Sequence, residues 1–206
     1  MHKLEELTNL LQGWFRKSIY DFPEHLNFEV TNGQWLEVAF KDFIYDYERY
    51  FNSRDVFWSN VKSRPELQAI LIYRISRSLF LEGNNCCDEF SLLGRFLSGI
   101  EIYYSAIIGR GIKINHGLGT VVGARVVIGS NCLIHQGVTF GDKDGHRPVI
   151  GDNVTVYAGA KIIGNVSVGD NAVIGANSVV LKDVPINCKA AGVPGRILER
   201  ANQSII

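Results

Sequence analysis

Aliphatic side chains recur every six residues through the second half of this chain. One register holds Ile102, Ile108 and Ile114, and after a slip of two residues it resumes at Val122, Ile128, Ile134 and Phe140. After a longer interruption it runs through Ile150, Val156, Ile162, Val168, Ile174 and Val180. Four positions after most of these the side chain is small or β-branched: Ala106, Val126, Cys132, Val138, Val154, Ala160, Val166, Ala172, Ser178. A helix, with a period of about 3.6 residues, cannot hold that pattern. A hexapeptide period predicts a parallel β-helix in which each hexad supplies one short strand and one corner. The first and fifth positions then point inward, and stacked coils bury one continuous core. Glycine often follows the aliphatic, at Gly109, Gly123, Gly129, Gly141, Gly151, Gly169 and Gly175, and is expected to serve corners of positive φ.

The first hundred residues follow another rule. Leu4, Leu7, Leu10, Leu11 and Trp14 have helical spacing, as do residues 40–51 and 67–80, with a last short helix expected near residues 90–97. Pro23 and the pair Asn32-Gly33 read as a break, and Gly83-Asn84-Asn85 as the end of the third helical stretch. Composition divides at the same place: 18 of the 22 aromatic residues lie before Glu101, and 16 of the 21 glycines after it. The expected fold class is α+β: a helical domain over 1–98, a parallel β-helix over 99–185, and a C-terminal segment and tail over 186–206.

With 206 residues, 46% of them hydrophobic, the chain can bury a substantial core. Its formal net charge is zero, which gives no reason to expect a nucleic acid partner. Charges run through the first twenty residues, and no apolar run is long enough to span a bilayer, so a cytoplasmic protein is expected. Cys86, Cys87, Cys132 and Cys188 lack the spacing of a metal site or a disulfide framework, and no metal is expected. Residues 101–206 carry ten basic and seven acidic groups, a balance suited to an anionic ligand.

Chemistry needs polar side chains on the outward face. His116, in the run Ile114-Asn115-His116-Gly117, stands beside the register slip, where an imidazole suits a general base. Its surroundings resemble the hexapeptide acyltransferases of serine acetyltransferase type. The resemblance rests on Gly99-Ile100-Glu101-Ile102, Ile108-Gly109-Arg110-Gly111 and the His116 run. It extends through residues 121–123 (VVG), 136–141 (QGVTFG), 145–154 (GHRPVIGDNV), 158–164 (AGAKIIG), 174–185 (IGANSVVLKDVP) and 190–196 (AAGVPGR). Upstream, residues 65–74 resemble the family's last N-terminal helix, and Arg54-Asp55 its arginine–aspartate step.

The resemblance implies a left-handed β-helix, acetyl-CoA as acyl donor, and acetyl transfer to a hydroxyl. His116 matches the family's general base and Glu101 the carboxylate that orients it. Gly141, Ala158 and Ala176 match small residues beside the donor's pantetheine, in a groove between subunits of a homotrimer that can pair into a dimer of trimers. The acceptor positions depart from the family. Asn115 replaces an aspartate that helps hold the serine ammonium, and the carboxylate-binding pair appears in the reversed order His146-Arg147. Asp55 is left as the matched anion.

An amide donates and accepts hydrogen bonds without charge. The expected acceptor is therefore a sugar hydroxyl of a surface polysaccharide or its precursor, with weak or no activity on L-serine unless Asn115 becomes aspartate. The alternative is serine O-acetylation in cysteine biosynthesis, with Ile206 as a C-terminal dock for a partner enzyme. A zinc site built from His116, His135 and His146 is a third reading, disfavoured because their hexad positions differ. A non-catalytic scaffold is a fourth, disfavoured by the pairing of His116 with Glu101.

Overall fold

In the computed structural model, which describes residues 2–17 and 34–200, five helices precede a three-faced parallel β-helix. The helices are α1 (His2–Lys17), α2 (Gln34–Phe51), α3 (Trp58–Ser63), α4 (Pro65–Leu81) and α5 (Cys87–Ser98). Pro65 opens α4 at a position where its missing N–H costs nothing, and Gly99, at φ 67°, ends α5. The apolar spacing puts Leu7 and Leu11 of α1, Phe43 and Tyr47 of α2, and Leu67, Ile70, Leu71 and Ile75 of α4 fully inside. The expected break at Pro23 and Asn32-Gly33, and Ile206, lie outside the described residues. Among the described residues no helix is long and apolar enough to cross a membrane.

The hexads fold into three sheets of short parallel strands. The first face stacks β1 (Glu101–Ile102), β4 (Val121–Val122), β7 (Thr139–Gly141), β10 (Lys161–Ile163) and β13 (Val179–Val180). The second stacks β2 (Ile107–Ile108), β5 (Val127–Ile128), β8 (Val149–Ile150) and β11 (Ser167–Val168). The third stacks β3 (Lys113–Asn115), β6 (Leu133–His135), β9 (Thr155–Val156), β12 (Val173–Ile174) and β14 (Cys188–Ala191), closed by antiparallel β15 (Arg196–Arg200). The hexad aliphatics form the core: Val122, Ile134, Phe140, Ile162 and Ile174 have no exposed surface. Each such side chain contributes about 1.5–3 kcal/mol by leaving water. The fifth positions are buried beside them, and burial pushes the Cys132 thiol up to about 11, as befits a small core hydrophobe.

Two details differ from the sequence reading. The glycines after the aliphatics are not at positive φ. They face the next coil at close range: a Cβ on Gly109 would lie 2.6 Å from the Ser130 nitrogen, and one on Gly129 2.6 Å from the Gly151 carbonyl carbon. The left-handed corner between the second and third faces is instead taken by Gly111, Asn131, Asn153, Asn171 and Asn187. The stack also continues beyond Val184, because β14 pairs in parallel with β12.

The helices seal the first coil, whose lower edge would otherwise expose unpaired backbone groups. The Tyr73 hydroxyl donates to the Ala106 carbonyl at 2.9 Å and accepts from the Ile108 N–H at 3.1 Å. Arg74, paired in two contacts of 2.8 and 3.0 Å with the fully buried Asp46, donates to the carbonyls of Ile108 and Gly109 at 2.7 and 2.6 Å. Asp46 also accepts the Ile112 N–H at 3.0 Å. Asp46 of α2 with Tyr73 and Arg74 of α4 thus fasten the helices to the β-helix.

Candidate active site

His116 sits where the repeat slips. Between β3 and β4 the chain needs two extra residues, and it turns with His116 at φ 63°, a conformation uncommon for a residue with a Cβ. The turn closes through the Leu118 N–H to the His116 carbonyl at 2.7 Å, and the buried Thr120 anchors it by donating to the His135 carbonyl at 3.1 Å. The imidazole is exposed and makes no hydrogen bond to a described residue.

A cavity of about 210 Å³ opens beside it, built from both domains. The β-helix supplies Lys113, Ile114, Asn115 and His116; the helices supply Tyr50, Arg64 and Glu66. The Tyr50 hydroxyl donates to the Ile114 carbonyl and accepts its N–H, both at 2.8 Å. Burial holds that phenol above the ordinary tyrosine range, so it stays neutral at physiological pH. Lys113 lies 5.3 Å from the Tyr50 ring centroid, and Arg64 5.4 Å from that of Phe51. Glu66, half-buried in the first turn of α4, has no hydrogen bond or ion pair to a described residue. Position alone marks these helical residues. The run 65–74 was legible as a helix, but no spacing in it singles out Glu66.

The other expected residues are dispersed. Ala158 and Ala176 belong to the same corner as His116, stacked coil on coil: the Asn177 N–H donates to the Ala158 carbonyl at 2.8 Å and the Gly137 N–H to the Leu118 carbonyl at 3.0 Å. On the same corner a Cβ on Gly137 would meet only the backbone of Gly159, 3.7 Å away, while the Asn177 side chain lies over Gly159. Gly141 lies apart from this corner, at the far end of β7. Glu101 opens β1 two residues after Gly99, whose carbonyl accepts the Gly119 N–H at 3.0 Å, but its carboxylate accepts from Arg95 at 3.3 Å rather than from His116.

Three expected acceptor residues do not reach the cavity. Asp55 is paired with Lys3 on the surface of the helical domain. His146 and Arg147 occupy the loop between β7 and β8, at the corner between the first and second faces, where Arg147 is held by Asp142 and by the Gly145 carbonyl at 2.6 Å. His135 lies opposite Asn115 in the β3–β6 pairing and stacks on Tyr157 at 5.0 Å. Burial, and then the neighbouring His116, lower its pKa. Among the described residues no group of three His, Cys, Asp or Glu side chains could hold a metal ion.

Known proteins match this arrangement. The family described as bacterial transferase hexapeptide (six repeats) matches residues 147–182, and that described as hexapeptide repeat of succinyl-transferase matches residues 119–143. The serine acetyltransferase of Synechococcus elongatus is 43% identical over 142 residues, covering 66% of this chain and 58% of that protein. The Staphylococcus aureus serine acetyltransferase is 46% identical over 139 residues, covering 65% of each chain. The chain thus spans roughly three fifths of the length of these curated relatives. A solved serine acetyltransferase in complex with CoA superposes with a TM-score of 0.69 at 34% identity, covering 79% of this chain and 69% of that one. These relatives overturn the expected sugar acceptor: Asn115 and the reversed His146-Arg147 pair depart from a motif without moving the chain out of the serine enzymes' neighbourhood. On sequence and fold together, the chain belongs to the hexapeptide-repeat acyltransferases of the serine acetyltransferase type.

Proposed function

We propose that this chain transfers the acetyl group of acetyl-CoA to the hydroxyl of L-serine, with His116 as general base. The observation that carries the reading is the His116 cavity, placed at the two-residue register slip, where the imidazole turns outward, in a chain 43–46% identical to serine acetyltransferases. His116 takes the proton of the serine hydroxyl as that oxygen attacks the thioester carbonyl carbon. As the carbon–sulfur bond breaks, the imidazolium returns the proton to the departing thiolate. Such acid–base assistance is worth about 10²–10⁴ in rate. Glu101 stands at the same corner, and its exposed pair with Arg95, worth about 0–1 kcal/mol, is weak enough to be exchanged for the imidazolium.

The glycines Gly119 and Gly137, which present only backbone, with Ala158 and Ala176 beside them, fit a chain-like donor lying along the corner, and the Asn177 side chain over Gly159 bounds that surface. His146 and Arg147 belong to a different corner and do not line this cavity, and the family resemblance supports a homotrimer, paired or not into a hexamer.

The test is acetyl transfer from acetyl-CoA to L-serine, free sugars and nucleotide sugars, read as CoA thiol release and acetylated product. Serine is expected to be the preferred acceptor by at least tenfold in kcat/KM. Preference for any sugar would overturn the reading.

A further inference from the structure

We propose that Glu66 receives the ammonium of the amino-acid acceptor and that Arg64 and Lys113 receive its carboxylate. The inference rests on serine acetylation at His116 and deepens it, by naming the residues that recognise a zwitterion.

A free amino acid offers one cation and one anion within a few ångströms of the hydroxyl to be acetylated. Its site should present one group of each sign on either side of the base. The positions that would do so by resemblance are not available within this chain: Asn115 is neutral, Asp55 is paired with Lys3 outside the cavity, and Arg147 is held by Asp142 at another corner. Yet the cavity is not neutral. It contains one carboxylate, Glu66, and two cations, Arg64 and Lys113, around His116. Burial first of all raises the pKa of the Tyr50 phenol beside them, with Glu66 adding to the rise and Arg64 opposing it.

None of the three charges is in an ion pair with another described residue. Among the described residues Glu66 lies within 4.0 Å of no cationic nitrogen, and Arg64 and Lys113 rest over aromatic rings. A half-buried carboxylate with no cationic partner among the described residues loses part of its hydration without a charge-assisted hydrogen bond to offset it. Being acidic in the first turn of α4 gives it a modest favourable term from the helix dipole, but that does not require it to line a cavity beside the base. An incoming ammonium would give it a charge-assisted hydrogen bond, and the amide of Asn115 could then bridge acceptor and base as donor and acceptor at once. The aspartate lost at position 115 is thus replaced from the other domain, by a residue 49 positions upstream in sequence.

The experiment is steady-state kinetics of the full chain with Glu66→Gln, which keeps the shape and removes the charge. KM for L-serine should rise about 10- to 100-fold, the loss expected for one hydrogen bond to a charged group, with kcat and the KM for acetyl-CoA within about threefold. Two truncated acceptors, used as competitive inhibitors against serine, separate the two ends. Ethanolamine, which lacks the carboxylate, should weaken tenfold or more with Glu66→Gln and change little with Arg64→Gln. The compound 3-hydroxypropanoate, which lacks the ammonium, should show the reverse. Asn115→Asp placed in the Glu66→Gln background should recover most of the serine KM.

An unchanged serine KM in Glu66→Gln would overturn the proposal while leaving serine acetylation intact. A fall in kcat with a displaced pH profile and no change in KM would overturn it too, making Glu66 a positioning residue for His116. If the unmodified protein acetylates no serine, the functional reading fails first. If Glu66→Gln does not fold, Glu66→Asp takes its place: a smaller rise confined to the serine KM supports the proposal, and no rise overturns it.

Discussion

In the β-helix, Gly129 exists because the backbone of the next coil leaves a Cβ nowhere to go; in α1, Gly13 has nothing within 4 Å of where a Cβ would be. The same contrast holds for polar groups. Through the coils, one strand's N–H meets the carbonyl of the strand above, as in Thr139 to Ala160 at 2.9 Å and Thr155 to Ala172 at 3.0 Å. At the seam with the helices, side chains do that work: Tyr50, Tyr73, Arg74 and Asp46 satisfy the open edge of the first coil. One region is held by a rule repeated every six residues, the other by contacts made once. The cavity beside His116 lies on the seam, where repeated backbone meets unrepeated side chains.

The most severe way to break the seam is Asp46→Ala. It would strand the Arg74 guanidinium, whose side chain is 5% exposed, with its carboxylate partner gone. Removing one member of a buried pair costs about 3–5 kcal/mol. All three tryptophans precede residue 100, so their fluorescence in a urea titration reads the helical region directly. A change below about 1 kcal/mol would show that the pair does not fasten the two regions.

Gly129→Ala attacks the other region. Its Cβ would press on the Gly151 carbonyl, which is backbone and cannot rotate away, and an overpacking cost of about 1–3 kcal/mol is expected. Smallest and opposite in sign is Gly13→Ala, in an open helical position, which should stabilise by about 0.5–1 kcal/mol. Thermal melts followed by circular dichroism compare the two; equal effects of one sign would remove the contrast.

The β-helix was legible because its inward positions are dictated by local period: Ile102 to Val180 fell on the core face in sequence order. His116 was legible for the same reason, as a break in that period. The role of the glycines was misread, since close approach between coils depends on the stacking distance and not on any local conformation. Arg64, Glu66 and Lys113 were not foreseen as lining one cavity because their meeting depends on how the helices dock on the β-helix, and no spacing encodes a docking angle. The acceptor was misread because Asn115 and the reversed His146-Arg147 pair were given more weight than the match along the rest of the chain, which the relatives at 43–46% identity share.

The most direct test of the account is His116→Ala, assayed with saturating acetyl-CoA and L-serine while calorimetry follows donor binding. If the outward imidazole at the register slip is the base, kcat falls by about 10²–10⁴ with the donor's Kd unchanged. A kcat within threefold of the unmodified protein would take His116 out of the reaction and leave the seam cavity without its chemistry.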